Sequence, residues 1–144
     1  MKQIKNYWNG FQILMYNKKW NIGNMSNRQI IARACRLAVW PEIKEMRDKI
    51  KLPFICPITG EIIKDKKKIH IDHYDFMFSD LIDKWLCNKD TDYILSKIHI
   101  EYNRELKKRC YYVDETIEND FIDFHNKNTH LRAVSSHANL VLLR

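Results

Sequence analysis

Nowhere in the 144 residues is there an apolar run approaching the roughly 18 needed for a membrane span. The first residues, Met1-Lys2-Gln3-Ile4-Lys5-Asn6-Tyr7-Trp8, lack the pattern of a secretory signal. These two absences lead to the expectation of an intracellular, cytoplasmic protein with no membrane partner. The four cysteines, Cys35, Cys56, Cys87 and Cys110, include no CxxC pair, so a structural zinc is not indicated. A cytosolic chain with a sizeable core needs no disulfide, and the cysteines read as reduced thiols. There is no internal repeat and no low-complexity segment. Between residues 26 and 41 there is no acid at all, although that stretch holds Arg28, Arg33 and Arg36.

What is present is the make-up of a globular domain, with 45% hydrophobic and 12% aromatic residues. The length suits one domain with a real core. Charge is unevenly spread. Residues 1–51 hold eleven Lys/Arg against three Asp/Glu, whereas residues 52–144 hold fourteen against fifteen. A basic lobe beside a neutral, carboxylate-bearing one suits a protein that grips phosphates with one part and acts with the other. An ordinary solvated surface, in a chain rich in Lys, Ile and Asn, would give the same numbers. The expected division is a helical, basic region over 1–51 and a second unit over 52–144. The expected fold class is α+β, mostly helical.

Taken in order, residues 2–16 have apolar positions at helical spacing, and residues 17–24 read as a loop. Ser26 is a good N-cap for a helix to about Val39. Its apolar arc comprises Ile30, Ile31, Ala34, Leu37 and Ala38, and its opposite arc carries Arg28, Arg33 and Arg36, candidates for phosphate contacts. Pro41 either breaks this helix or opens the next, which Pro53 closes. Residues 54–60 form a tight turn. Residues 61–63 and 68–72 read as the two strands of a hairpin around Lys64-Asp65-Lys66-Lys67. Helices follow from Phe78 to Leu86, from Asp90 or Thr91 toward Cys110, and from Asp114 to about Phe124, the last with Ile117, Phe121 and Phe124 as its apolar stripe. Ser135 can cap a final helix running toward Arg144. Tyr74 and Trp85 read as core aromatics, and His70 and His99 as ordinary histidines.

Two stretches carry chemistry. Ile69-His70-Ile71-Asp72-His73 is an alternating run that ends in an Asp-His pair. Leu131-Arg132-Ala133-Val134-Ser135-Ser136-His137-Ala138-Asn139-Leu140 enters the last predicted helix. A Cys-x-x-x-Gly turn, a strand ending in Asp-His, and then Leu-Arg-x-Val-x-x-x-x-Asn-Leu running into a helix resemble the HNH endonuclease family. The resemblance covers roughly residues 54–75 and 128–144; it implies an insertion at about 76–127 and, for the basic region over 1–51 that it does not cover, a DNA-binding role. It implies a ββα core that binds one divalent metal, Mg²⁺ or Mn²⁺, with double-stranded DNA as partner, and by analogy a phage or mobile-element origin. Many members hold a zinc with two CxxC pairs. Here those positions are Cys56, Thr59, Ser135 and Ala138, so the chain resembles a divergent member that has lost the zinc.

Two registers fit the second motif. His130 with Asn139 aligns Leu131-Arg132, Val134 and Asn139-Leu140 with the family pattern, while Asn128 with His137 has the same spacing of nine. In the first, the resemblance makes His73 the general base, Asp72 and Asn139 the metal ligands, and His130 the residue that orients the base. Arg132 joins the phosphate contacts, and His125 reads as a helix-end residue within possible reach of the site or of a phosphate. The chemistry is sound without the family. An imidazole near pKa 6.5 accepts a proton from water at neutral pH, and a hard cation takes oxygen ligands. Activity would then fall as pH drops through roughly 6–7. Strand alternation alone would put Asp72 and His73 on opposite faces. The rival expectation is a non-catalytic nucleic-acid-binding domain that retains the ββα scaffold.

Overall fold

A computed structural model describes residues 25–74, 77–102 and 108–143. The helix and loop expected over 2–24 lie outside the described residues. Helix α1 spans Asn27–Asp48. It begins where the sequence places it, through a reciprocal cap. Ser26 Oγ accepts from the Gln29 N–H at 3.2 Å and Gln29 Oε1 accepts from the Ser26 N–H at 2.8 Å. Pro41 neither ends this helix nor opens another, because one 22-residue helix runs straight through it. An interior proline costs about 3 kcal/mol. Its buried side chains, Ile30, Ile31, Ala34, Cys35 and Val39, are all within 1% of full burial and all precede Pro41; beyond the proline Ile43 packs, partly buried, against the same core. The buried stripe is therefore rotated from the expected arc, with Cys35 and Val39 replacing Leu37 and Ala38.

The two short strands β1 (Phe54–Ile55) and β2 (Ile62–Ile63) pair with each other across the 56–60 turn. Gly60 closes that turn at φ +73°, and its N–H donates to the Cys56 carbonyl at 2.8 Å. The expected hairpin of 61–63 with 68–72 does not form. Asp65 instead caps a 3₁₀ turn at Lys66–Lys68, which redirects the chain. Strand β3 (Ile69–His73) pairs antiparallel with β6 (Leu131–Ser135), about sixty residues away, from Ile69 opposite Ser135 to His73 opposite Leu131. Burial of Ile69 against Val134 favours the distant partner, since β2 is already paired.

Between β3 and β6 lie α2 (Phe78–Leu86), α3 (Thr91–Ser96), the hairpin β4 (Ile98–Tyr102) and β5 (Lys108–Tyr112), and α4 (Glu115–Asn128). The expected helix from Asp90 to Cys110 is thus only six residues long. Ile98-His99-Ile100-Glu101-Tyr102 has a period of two, and as a strand it buries Ile98 opposite Tyr112. The segment is therefore mixed rather than helical. Helix α4 begins at the Asp114 cap, as expected, and continues past Phe124 to Asn128. Ser135 Oγ accepts from the Ala138 N–H at 3.0 Å, and the chain enters a single π-helical turn, Ala138–Leu142. Arg144 lies outside the described residues.

The described residues thus combine helix and strand, with helix in excess. Two apolar clusters hold them. The larger joins α1 to α2, α3, the β4–β5 hairpin and α4 around Phe121, with Trp85 buried in it as expected. The smaller joins the 54–63 hairpin to β3, β6 and Ala138. Residues 27–48 therefore share a core with the segment between β3 and β6. No helix among the described residues is long and apolar enough to cross a membrane.

Candidate functional site

A cavity of about 610 Å³ opens where the two clusters meet. Its wall includes Asp72, His73, Arg132 and Asn139, with Arg36, Trp40 and Phe78 from the larger cluster's side. The antiparallel ladder reaches its last pair at His73, and the Tyr74 N–H donates to the His130 carbonyl at 2.7 Å. The cavity wraps round that strand end, so Asp72 and His73 both line it despite strand alternation.

Each polar side chain has a partner. Asp72 lies opposite Arg132 in the ladder, and its Oδ2 accepts from Arg132 Nε at 3.1 Å. The Arg132 guanidinium sits 4.6 Å from the Tyr74 ring centroid, and Tyr74 is 57% exposed rather than a core aromatic. Asn139 Nδ2 lies 3.0 Å from His70 Nδ1. Because the amide nitrogen faces His70, the oxygen is the atom of Asn139 left to turn elsewhere. His70, read as ordinary, is thus what orients the Asn139 amide. Strand alternation was the available signal, since residues 70 and 72 share a face of β3.

His73 Nε2 lies 2.9 Å from His125 Nε2, and its ring packs 5.0 Å from that of Phe78. Burial draws the His73 pKa down to about 4, with the neighbouring His125 and Arg36 acting in the same direction and Asp72 against them. The ring is therefore neutral at physiological pH. The expected fall in activity at pH 6–7 moves down accordingly. His125 lies in the last turn of α4, as expected of a helix-end residue, and is also buried at 1% exposure. Burial lowers its pKa too, while the Asn126 hydrogen bond and Glu42 pull the other way. Its position four residues after Phe121, on the buried stripe of α4, was the signal for this.

The remaining sequence candidates divide. The Arg36 guanidinium lies 4.5 Å from the Phe78 centroid at the cavity wall. Arg33 borders a shallower neighbouring pocket with Trp40 and Arg109. Arg28 is turned away into structure, donating from Nε to Asp83 at 2.7 Å and from Nη2 to the Ser79 carbonyl at 2.7 Å. His130 and His137 are exposed, and Asn128 Nδ2 donates to the Phe124 carbonyl at 2.8 Å, finishing α4.

Among the described residues, no three His, Cys, Asp or Glu side chains cluster to hold a metal. Asp72 and Asn139, residues whose side chains carry the oxygen donors that a hard cation prefers, nevertheless both line the cavity. Two protein oxygens completed by water are the donor set that Mg²⁺ accepts. At the other end of β6, Cys56 Sγ accepts from the buried Ser135 N–H at 3.2 Å. Burial alone would raise the Cys56 pKa, but bonds from Thr59 and from the Ser135, Thr59 and Ile58 backbone bring it down to about 6. Cys56 and Ala138 pack in the same cluster. In comparisons with family models, curated proteins and solved structures, nothing matches this chain.

Proposed function

We propose that this chain is a metal-dependent DNA endonuclease or nickase with an HNH-like ββα-metal centre. The observation that carries the reading is the shared cavity. It is lined by Asp72 and His73 from one end of the chain's chemistry and by Arg132 and Asn139 from the other. A divalent ion held by Asp72 and Asn139 would relieve charge on the leaving oxygen. His73 takes the proton of the attacking water, a task suited to an imidazole that stays neutral at working pH. Arg132 and Arg36 bring positive charge to the wall, where a phosphate diester would sit. Phe78 and the apolar wall keep bulk water from the base. His73 and His125 do not straddle a phosphate as acid and base, because 2.9 Å between their nitrogens leaves no room for one.

The rival reading, a nucleic-acid-binding module without catalysis, draws support from the Asp72–Arg132 ion pair, which already neutralises the carboxylate. Plasmid nicking separates the two. With Mg²⁺ or Mn²⁺, wild type converts supercoiled plasmid to the open circle and His73→Ala does not. Binding by both proteins with cutting by neither, under every divalent ion tried, establishes the module instead.

A further inference from the structure

The hydrogen bonds around His73 continue beyond the cavity. His125 Nδ1 lies 3.3 Å from Asn126 Oδ1, and Asn126 Nδ2 donates to Glu42 Oε1 at 3.3 Å. Glu42 sits on α1, while His125 and Asn126 sit together near the end of α4. The line Glu42–Asn126–His125–His73 thus runs from an exposed carboxylate to the base at the cavity wall.

Polarity along this line is determined at its exposed end. A carboxylate oxygen only accepts, so the Asn126 atom facing it must be the NH₂ group. The amide oxygen is then the atom facing His125, and it too only accepts. His125 must therefore carry its proton on Nδ1. A neutral imidazole has one N–H and one lone pair, so His125 Nε2 is an acceptor. The proton between the two rings then belongs to His73 Nε2. Full reversal of the line would set two acceptor oxygens against each other at Glu42, and reversal of only part of it would set two donors or two lone pairs against each other where the reversal stops.

We infer that Glu42, Asn126 and His125 are positioning residues that hold His73 in its Nε2–H tautomer, leaving Nδ1 as the nitrogen that accepts the proton of the attacking water. The catalytic consequence rests on the nuclease reading, whereas the tautomer assignment does not. His125 does not touch substrate. It decides which nitrogen of His73 is available, and the α1–α4 contact decides the orientation of His125. On this inference the orienting role that the resemblance implies for His130 falls to Glu42 on α1 and to Asn126 and His125 on α4.

The test is nitrogen-15 NMR of the imidazoles in the full chain. The expected pattern is His73 protonated on Nε2 and His125 protonated on Nδ1. Asn126→Ala, an exposed change at the end of α4, should give a mixed tautomer at His125 and at His73. It should also lower the nicking kcat by about 10- to 100-fold, with the KM for DNA unchanged. Asn126→Asp combined with Glu42→Gln keeps an acceptor facing His125 and a donor–acceptor pair between residues 126 and 42, and should restore both the pattern and the rate. Glu42→Gln, whose amide satisfies either orientation of Asn126, should loosen the pattern part-way. Wild-type His73 protonated on Nδ1, or an unchanged His125 pattern in Asn126→Ala, overturns the inference. The expected tautomers in a protein that cuts no DNA would support the relay and count against the nuclease reading.

Discussion

The half-buried His73 links the site to the stability of the domain. Its folded pKa of about 4 lies below the 6.5 of an unfolded imidazole, chiefly through burial. Between those values the unfolded chain holds a proton that the folded chain does not. Stability therefore rises with pH through this window and is lost as pH falls from about 6.5 toward 4. Between pH 7 and pH 5, a shift of this size corresponds to about 1.8 kcal/mol. The ring is only partly buried, so solvent screening roughly halves that, to about 1 kcal/mol. His125, lowered in the same direction, adds to the slope. Urea unfolding at pH 7 and pH 5, for wild type and His73→Gln, isolates the His73 share as a double difference. Comparing slopes rather than absolute stabilities removes the packing cost of the substitution. Wild type should lose about 1 kcal/mol more than the variant on going to pH 5. Equal losses in the two proteins would show that His73 titrates normally and that the cavity does not desolvate it.

Other outcomes follow from the same geometry. Phe121→Ala should cost about 3–5 kcal/mol in chemical denaturation, because the ring is fully buried between Phe78, Trp85 and His125. A loss below about 1 kcal/mol would mean that the larger cluster collapses around the gap. Arg36→Ala should lower the salt slope of DNA binding by about one, whereas Arg28→Ala should leave it unchanged because Asp83 and Ser79 already hold that side chain. Equal effects in fluorescence anisotropy titrations would place the DNA on another face of α1. Cys56→Ala leaves the buried Ser135 N–H without its acceptor and should cost about 1–3 kcal/mol, read as a lower urea midpoint. A neutral result would show that water reaches that amide.

Much of the frame was legible because it depends on local chemistry. The Ser26 and Asp114 caps, the Phe78–Leu86 helix and the Phe121 stripe are each specified within one or two turns of chain. The joining of Asp72-His73 to the 131–139 stretch was legible only through the family pattern, since no local rule pairs strands about sixty residues apart. Where local rules misled, a tertiary contact had prevailed. Helix α1 continues past Pro41 with Ile43 packed against the larger cluster, and residues 98–112 became a hairpin because Ile98 and Tyr112 close the same core. The partners of the candidate base were the least legible. His125, Asn126 and Glu42 meet His73 only after α1 and α4 have packed, and no residue spacing encodes that meeting.

This arrangement makes the larger cluster part of the site rather than a support beneath it. Asp72, Arg132 and Asn139 belong to the β3–β6 pair and the turn after it, held by a cluster of five fully buried side chains. A β3–β6 unit that small cannot bury enough apolar surface to be stable alone. His73 leans the other way, onto Phe78 and His125, and Arg36 reaches the cavity from α1. The two halves of the candidate chemistry, oxygen donors on one side and imidazole on the other, are therefore in register only while the clusters remain docked. A change that loosens the docking without unfolding either cluster should separate a base from the oxygens it works beside. Phe78 is the side chain at that junction, in contact with His73, His125, Phe121 and the Arg36 guanidinium. Phe78→Leu, which keeps an apolar side chain in the larger cluster, should therefore lower plasmid nicking by a larger factor than its urea midpoint shift explains, and an unchanged nicking rate would show that the docking does not set the position of His73.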